Sequence, residues 1–255
     1  MSAIIFDCDG VLADTEHDGH LPAFNQTFKE FNLPLQWGEA EYAESVKIGG
    51  GKERMASLLT PELVQKAGLP TDAQEQSNML VQWHKRKTEI YKEMVRDGRL
   101  PGRPGVARLT REAIAAGWTL VVASTSAVES VRTVLEFVVG KEQAAHFQIF
   151  AGDMVPEKKP APDIYLLAQE RLNLSPSDTL AIEDSRNGLL AATGAGLRCL
   201  VTLSRYTRHE DMSEALVVVS DLGEPNSPMR VIANRSSASL GDYITLNDIK
   251  ACLES

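Results

Sequence analysis

The stretch Ile4-Ile5-Phe6-Asp7-Cys8-Asp9-Gly10 decides the fold class of this 255-residue chain. Its apolar half, Ile4–Phe6, is too short and too uniformly apolar for an amphipathic helix, and it predicts a strand buried on both faces of a parallel sheet. Its acidic half places Asp7 and Asp9 where that strand ends, which is where open α/β sheets bind ligands. Because side chains alternate along an extended chain, both carboxylates point the same way.

The sequence from residue 104 onward alternates short apolar runs with segments of helical period. This pattern predicts an α/β fold, a Rossmann-like doubly wound parallel sheet with helices on both faces. A helix is predicted over Pro104–Ala116, with Pro104 at its first position, and Gly117 and Gly196 occupy positions where helix C-caps belong. The strands predicted after Ile4–Phe6 are Thr119–Ala123, Phe147–Phe150, Leu180–Ile182, Cys199–Thr202 and Leu216–Val219.

A long insertion separates the first strand from the others. It contains the helical segments Leu21–Phe31, Glu39–Ile48 and Asn78–Arg96 and no clear strand run. A Pro/Gly-rich break near residues 97–105 is typical of a hinge that returns the chain to the core. We therefore predict a core domain of residues 1–14 and 98–255 and an inserted α-helical cap of residues 15–97. Beyond Asp221 we predict only a loop and a closing helix, Leu246–Leu253.

Composition excludes several classes of function. The net charge of −9 repels the phosphate backbone of nucleic acids. The chain contains no apolar run near the roughly 20 residues that a membrane helix needs. Cys8, Cys199 and Cys252 are odd in number and show no zinc-ligand spacing, which favours a reducing compartment. We expect a monomer that binds neither nucleic acid nor membrane, located in the cytoplasm, or in the chloroplast stroma if a transit peptide has been removed.

Each acidic or basic motif has an ordinary structural alternative when it is considered alone. Asp7–Gly10 could be an acidic turn that closes a strand, although its glycine is at the wrong position for a calcium loop. Ser124–Ser126 ends a buried strand in hydroxyls that could hold an anion, or Ser126 could cap a helix. Lys158–Pro160 could be solvated surface, and the acids of Glu183-Asp184 could bind a metal or cap a helix.

The order of the four motifs is more specific than any one of them. The chain resembles the haloacid dehalogenase superfamily of phosphohydrolases, whose motifs are Asp-x-Asp-Gly, an apolar strand ending in Ser/Thr, a Lys, and a strand ending in two acids. The resemblance covers nearly the whole chain, because the insertion after the first motif is similar to the helical cap of that superfamily.

A closer resemblance is to the CbbY group, phosphatases of sugar bisphosphates. The segments that carry it are Gly49–Arg54, Ala151–Val155, Lys158–Pro160 and Tyr206–Glu210. The stretch Asn226–Asp242 departs from the group, because it is longer than expected.

The superfamily resemblance implies a role for each acid. Asp7 would attack phosphorus and form an aspartyl phosphate, which splits a difficult displacement into two steps. Asp9 would protonate the leaving oxygen and then activate water. Mg²⁺ would bind the Asp7 carboxylate, the Asp9 carbonyl and the Asp184 carboxylate, which are hard oxygen ligands. Glu183 would orient water on the metal.

The remaining candidate residues would hold the substrate. The resemblance implies that Ser124, the amide of Thr125 and Lys159 bind phosphoryl oxygens, with Lys158 left as a surface lysine. In the cap, the Gly49–Arg54 segment could be a glycine-rich loop that binds a second phosphate, or simply a loop between helices. The candidate cap residues are Glu16, His20, Gly51, Lys52 and Arg54, although His20 could also be a partly exposed structural histidine.

These expectations lead to a Mg²⁺-dependent phosphatase of a small sugar phosphate, with a bisphosphate such as xylulose 1,5-bisphosphate as the preferred hypothesis. A β-phosphoglucomutase-like mutase is the nearest alternative, because it would use the same core residues. A noncatalytic module that binds a phosphorylated metabolite is the alternative of another class, and the intact Asp7 argues against it.

Overall fold

The computed structural model describes residues 2–48, 50–152 and 154–254. The chain divides into two units, one formed by Met1–Thr15 and Leu100–Ser255 and the other by Glu16–Arg99. Among the described residues, no helix combines the length and apolar character that crossing a membrane requires.

A seven-stranded sheet forms the centre of the larger unit. Its strands are β1 (Ala3–Phe6), β2 (Thr119–Ser124), β3 (Phe147–Ala151), β4 (Thr179–Glu183), β5 (Arg198–Thr202), β6 (Val217–Val219) and β7 (Val231–Asn234). Their order is β3-β2-β1-β4-β5-β6-β7, and every neighbouring pair is parallel except the antiparallel pair β6–β7. The predicted α/β fold is confirmed, with β1 buried at the centre of the sheet.

The final strand, β7, is the strand that sequence analysis missed. Val231 and Ile232 in it are exposed, and Ala233 packs against the core. Its apolar run is only three residues long and lies in a tail with little other pattern, so it was not recognised as a strand. The predicted closing helix at Leu246–Leu253 is present, with Thr245 as its N-cap.

All but the last of the helices described in the larger unit lie between strands β1 and β5 in the chain, and the last follows β7. The predicted first position of one of them, Pro104, is wrong: the helix begins at Val106, because Gly105 precedes it with φ of 84°. A Cβ atom on Gly105 would approach the Gly223 carbonyl oxygen to 2.6 Å, so this close turn requires glycine. The helices are α6 (Val106–Ala115), α7 (Val128–Val139), α8 (Lys141–Ala144), α9 (Asp163–Leu172), α10 (Arg186–Gly194) and α11 (Leu246–Leu253).

All regular structure described in the smaller unit is helical, and two of its helices, Gly51–Ala56 and Pro61–Lys66, lie where no helix was predicted. The predicted loop over Gly49–Arg54 is wrong in part, because a helix begins at Gly51, while Gly49 lies outside the described residues. The long final helix begins before the predicted Asn78, because Asp72 caps it by accepting bonds from two backbone amides. After a π-helical turn at Glu16–His20, the helices are α1 (Leu21–Glu30), α2 (Glu39–Ser45), α3 (Gly51–Ala56), α4 (Pro61–Lys66) and α5 (Ala73–Arg96).

Candidate active site

The pairing of β1 with β2 and β4 places three of the four sequence motifs side by side at the carboxyl end of the sheet. Phe6 of β1 lies opposite Val122 of β2 and Ile182 of β4. The backbone N–H of the next residue, Asp7, donates to the Ile182 carbonyl at 2.9 Å. Because the strands are parallel, the residues that follow these three positions emerge together at the carboxyl end of the sheet.

The remaining motif, the lysine that is third in sequence order, supplies a cation that binds residues of two other motifs. Lys159 donates to Asp7 Oδ1 at 2.6 Å, to Glu183 Oε1 at 2.6 Å and to the Ala123 carbonyl at 2.8 Å. An ammonium group has three N–H bonds, so all three are used within the protein. Burial alone would lower the pKa of Lys159, but the charges of Asp7 and Glu183 outweigh it and raise that pKa. The lysine therefore stays charged.

One lysine does not neutralise all the acids at this point. Carboxylate oxygens of Asp7, Glu183 and Asp184 lie within 4.8 Å of one another, and all three residues are buried. Burial raises the pKa of Asp7 to about 6, with Glu183 adding to the rise and Lys159 opposing it. Burial and the charges of Asp7 and Glu183 also raise the pKa of Asp184 well above its ordinary value.

This donor set fits a hard divalent cation. Buried like charges are costly unless they are paired or coordinate a metal. The ligands of such a cation would be carboxylate oxygens, as Mg²⁺ prefers. Gly10 leaves room for this arrangement, because a Cβ atom on Gly10 would approach Asp184 Oδ2 to 2.0 Å. Its φ of 86° also favours glycine, so two independent reasons account for the last residue of the first motif.

Two hydroxyl groups bind the carboxylate of Asp9. Thr15 Oγ1 donates to Asp9 Oδ1 at 2.6 Å, and Ser126 Oγ donates to Asp9 Oδ2 at 2.5 Å. The alternative role considered for Ser126, a helix N-cap, is not what the structure shows: Ala127 is the N-cap residue of α7. The Ser126 hydroxyl instead fixes the orientation of a carboxylate in the first motif.

The expected phosphate-binding residues after β2 differ in exposure. Ser124 is buried, and its hydroxyl accepts a bond from the Ser126 backbone N–H at 3.1 Å. Thr125 is exposed at the end of the strand. Lys158, which we expected at the surface, is also exposed.

In the smaller unit, two of the predicted substrate-binding residues bind each other. Arg54 donates to both carboxylate oxygens of Glu16, at 2.9 and 3.0 Å, and Tyr42 also donates to Glu16. Burial would raise the pKa of Glu16, but the charges of His20 and Arg54 lower it to about 2. The pair is bidentate and largely buried, a geometry that holds both side chains in fixed positions.

The other predicted cap residues lie in different surroundings. His20 stacks against Tyr91 with ring centroids 4.3 Å apart, and its Nδ1 lies 2.8 Å from Nζ of the buried Lys87. Gly51 begins α3, and Lys52 follows it with no ion pair to any residue that the structure describes. Of the cap residues predicted from sequence, Lys52 is therefore the cation with a charge still available for a ligand.

Comparison with known proteins identifies the family. A model of the haloacid dehalogenase-like hydrolases matches residues 1–196. The chain belongs to this family. It is 45% identical over 224 residues to the CBBY-like protein of Arabidopsis thaliana, covering 88% of this chain and 70% of that protein. It is 42% identical over 216 residues to protein CbbY of Cereibacter sphaeroides, covering 84% and 90% of the two chains.

A crystal structure supports the same relationship. An Asp-to-Asn variant of CbbY from Rhodobacter sphaeroides, in complex with xylulose-1,5-bisphosphate, superimposes with a TM-score of 0.73 and 39% identity, covering 87% of this chain and 94% of that one. The predicted resemblance to the haloacid dehalogenase-like hydrolases and to their CbbY group is confirmed. One segment that carried it includes Asp153, which lies outside the described residues.

Two residues of this hydrolase site were not found from the sequence. Tyr165, buried on α9, donates its hydroxyl hydrogen to Glu183 Oε1, the oxygen that also accepts from Lys159. Arg103 donates to the Gly10 carbonyl and thereby holds the loop of the first motif. Tyr165 is at an apolar position of a helical pattern and Arg103 is in a predicted hinge, so neither position indicated a polar role.

Proposed function

We propose that this chain, a phosphatase of the haloacid dehalogenase-like hydrolases, removes phosphate from a small sugar phosphate with the aid of Mg²⁺. A sugar bisphosphate such as xylulose 1,5-bisphosphate is the preferred substrate. The observation that carries the proposal is the buried cluster of Asp7, Glu183 and Asp184 with Lys159 bound between the first two. The xylulose-1,5-bisphosphate complex of the related CbbY supports the choice of substrate.

The acidic residues of the site have different roles in the proposed reaction. Asp7 lies at the end of β1 with its carboxylate held by Lys159, and it is the nucleophile. The Asp7 and Asp184 carboxylates and the Asp9 carbonyl would hold Mg²⁺, which when bound neutralises charge on the phosphate and so lets an anionic nucleophile approach. Glu183 has Oε1 occupied by Lys159 and Tyr165, so it positions the lysine as well as the water around the metal.

The reaction then needs two displacements at phosphorus. A carboxylate oxygen of Asp7 forms the new bond to phosphorus, and the bond from phosphorus to the sugar oxygen breaks. Asp9, oriented by Thr15 and Ser126, gives that oxygen its proton. Asp9 then takes a proton from water as the water oxygen bonds to phosphorus and the bond from phosphorus to Asp7 breaks, which releases inorganic phosphate and restores the Asp7 carboxylate. Ser124, Thr125 and Lys159 hold the phosphoryl oxygens; Lys159 can exchange its Asp7 contact for one of them once Asp7 has lost its charge.

The smaller unit would choose the substrate. Its Glu16–Arg54 pair is fixed by mutual hydrogen bonds, so these two side chains present a rigid polar surface to sugar hydroxyls. Lys52 is the residue that we assign to a second phosphate, together with the N–H of Gly51 at the start of α3. His20, held between Tyr91 and Lys87, would contact the sugar.

The test is a screen of phosphate release from sugar monophosphates and bisphosphates, with and without Mg²⁺. We expect release to require Mg²⁺ and the kcat/KM for a pentulose bisphosphate to exceed that for monophosphates. The Asp7→Asn variant should retain less than about one per cent of turnover, whereas Asp242→Asn, which makes the same change of charge at an exposed position, should keep it. Isomerisation of a hexose phosphate without phosphate release would refute the phosphatase assignment.

A further inference from the structure

The larger unit contains a cavity that the proposed reaction does not use. Its volume is about 330 Å³, and its lining includes Asp14, the segment after β5, the residue after β6 and residues at the start of β7. Small-molecule sites occupy roughly 300–1,000 Å³, so this cavity has room for a small metabolite. No member of the buried acidic cluster lines it.

Arg103 lines the cavity, and its guanidinium group is bonded to backbone carbonyls of the protein. Arg103 donates to the carbonyl oxygens of Leu203 at 2.7 Å, Ser220 at 2.6 Å and Thr202 at 3.0 Å, in addition to Gly10. These bonds fix its guanidinium in place. Arg103 therefore contributes positive charge to the cavity, while its two terminal nitrogens are already bonded to backbone carbonyls.

Two further arginines line the same cavity with donors that remain available. Arg208 and Arg230 form no ion pair within the described ranges 2–48, 50–152 and 154–254. The Nε of Arg208 donates to the Arg205 carbonyl at 3.0 Å, which orients the side chain and leaves its two terminal nitrogens for other acceptors. Both arginines are exposed, so these nitrogens are accessible to a ligand in the cavity. Guanidinium groups bind phosphate in a bidentate manner.

A buried hydrogen-bond acceptor in the cavity lining further limits the chemistry of the ligand. Asp14 Oδ1 is buried, and no described residue donates a hydrogen bond to it. An ionised carboxylate only accepts hydrogen bonds, and a buried acceptor without a donor is costly. A ligand that satisfies the whole cavity must therefore carry both an anionic group and a hydrogen-bond donor.

We propose that this cavity is a binding site for a small phosphorylated metabolite, separate from the substrate of the reaction above. Its phosphate oxygens bind Arg208 and Arg230, and a hydroxyl or acidic hydrogen of the ligand donates to Asp14. The proposal also gives a role to the Tyr206–Glu210 segment, which sequence analysis singled out and the reaction does not use.

Inorganic phosphate is the probe for this site, because at neutral pH it carries both negative charge and at least one hydrogen that can be donated. Hydrogen exchange measured by mass spectrometry on the full chain separates the cavity segment, residues 203–210, from the strand end at residues 120–127. In the wild type, we expect phosphate to slow exchange in 203–210. In the double variant Arg208→Ala/Arg230→Ala, the apparent Kd read from that segment should rise at least about tenfold, because two charge-assisted contacts are lost.

A matched control separates the cavity from the total charge of the protein. The double variant Arg111→Ala/Arg132→Ala removes the same charge from exposed positions on α6 and α7, and it should bind phosphate at 203–210 like the wild type. Equal protection of 203–210 in the two double variants, or no protection in the wild type, would overturn the proposal. Protection of 120–127 reports on the proposed active site, so a failure there is distinguishable from a failure here.

Sulfate tests the role of Asp14, because sulfate carries no hydrogen at neutral pH. We expect phosphate to bind at 203–210 at least about tenfold more tightly than sulfate in the wild type. In Asp14→Asn the ratio should fall, because the amide can donate to sulfate. An unchanged ratio, or equal binding of the two anions to the wild type, would overturn the assignment of Asp14 as the acceptor.

Discussion

Replacing Asp7 by Asn should stabilise the metal-free chain at neutral pH while it abolishes phosphate release. Asp7 is only 7% exposed, and burial raises its pKa to about 6 even though Lys159 lies 2.6 Å away. At pH 7 the Asp7 carboxyl is ionised in both states, but its negative charge is less favourable in the folded chain than in the unfolded chain. Asn keeps the shape of the side chain and a carbonyl oxygen that can accept from Lys159, but it carries no charge.

The magnitude follows from the two protonation equilibria. The Asp7 carboxyl titrates near 3.8 in the unfolded chain and near 6 in the folded chain. A rise of about 2 in pKa corresponds to about 3 kcal/mol, at about 1.4 kcal/mol for each tenfold change in proton affinity. Below the unfolded value the carboxyl is protonated in both states. As the pH rises through the folded value, the free energy of unfolding falls by up to about 3 kcal/mol and then levels off.

Urea unfolding in the presence of EDTA measures this difference. We expect Asp7→Asn and the wild type to unfold with similar free energies near pH ~4, and the variant to be more stable by up to about 3 kcal/mol near pH ~8. The control variant Asp242→Asn removes a charge from an exposed side chain, and it should follow the wild type at both pH values. A stability difference between Asp7→Asn and the wild type that did not change with pH would refute the reasoning.

Three further predictions concern the roles of single side chains. Asp184→Ala should raise the Mg²⁺ concentration needed for activity more than Glu183→Ala does, because Asp184 would bind the metal directly and Glu183 only through water. Loss of a residue that acts through water typically changes metal affinity or activity by about 10–100-fold. Equal Mg²⁺ titrations of the wild type and Asp184→Ala would contradict this prediction. Lys52→Ala should lower kcat/KM for a bisphosphate by about ten- to a hundredfold and barely change that for a small monophosphate, so an unchanged ratio of the two constants would move specificity elsewhere. Tyr165→Phe should lower the free energy of unfolding in urea by about 1.5–3 kcal/mol, because it removes a buried hydrogen bond to the carboxylate of Glu183; a variant as stable as the wild type would show that Lys159 alone satisfies that oxygen.

The sheet could be predicted from the sequence because its central strands are buried on both faces. Ile4–Phe6, Thr119–Ala123 and Leu180–Ile182 each form a short uninterrupted apolar run, and the structure extends them by one residue or two. The strand Val231–Asn234 also contains a short apolar run, Val231–Ala233, but that run lies alone in a tail with little other pattern. Hydrophobic pattern therefore predicted six strands, including the edge strand β3, and missed β7, which follows β6 with no helical segment between them to mark it.

The hydrogen-bond partners within the candidate site could not be predicted from residue types and order. Sequence order places Lys159 in the third motif, but only the folded chain shows that it bridges Asp7 and Glu183. Tyr165 occupies an apolar position of a helix, and nothing in a helical period distinguishes a buried ring from one whose hydroxyl meets a carboxylate. In the smaller unit, Arg54 pairs with Glu16 over a separation of 38 residues, a contact that no local pattern reports.

The buried carboxylates that lower the stability of the fold also give the site its chemistry. Apolar strands end in carboxylates at one edge of the sheet, and the register of β1 and β4 holds Asp7 and the Glu183-Asp184 pair close together. Lys159 offsets part of their repulsion, and the pKa of Asp7 remains high because burial exceeds that compensation. A divalent cation would lower the free energy of the ionised cluster, so cation binding, stabilisation of the fold and ionisation of the nucleophile are coupled. For this reason the stability gained on adding Mg²⁺ should be larger in the wild type than in Asp7→Asn.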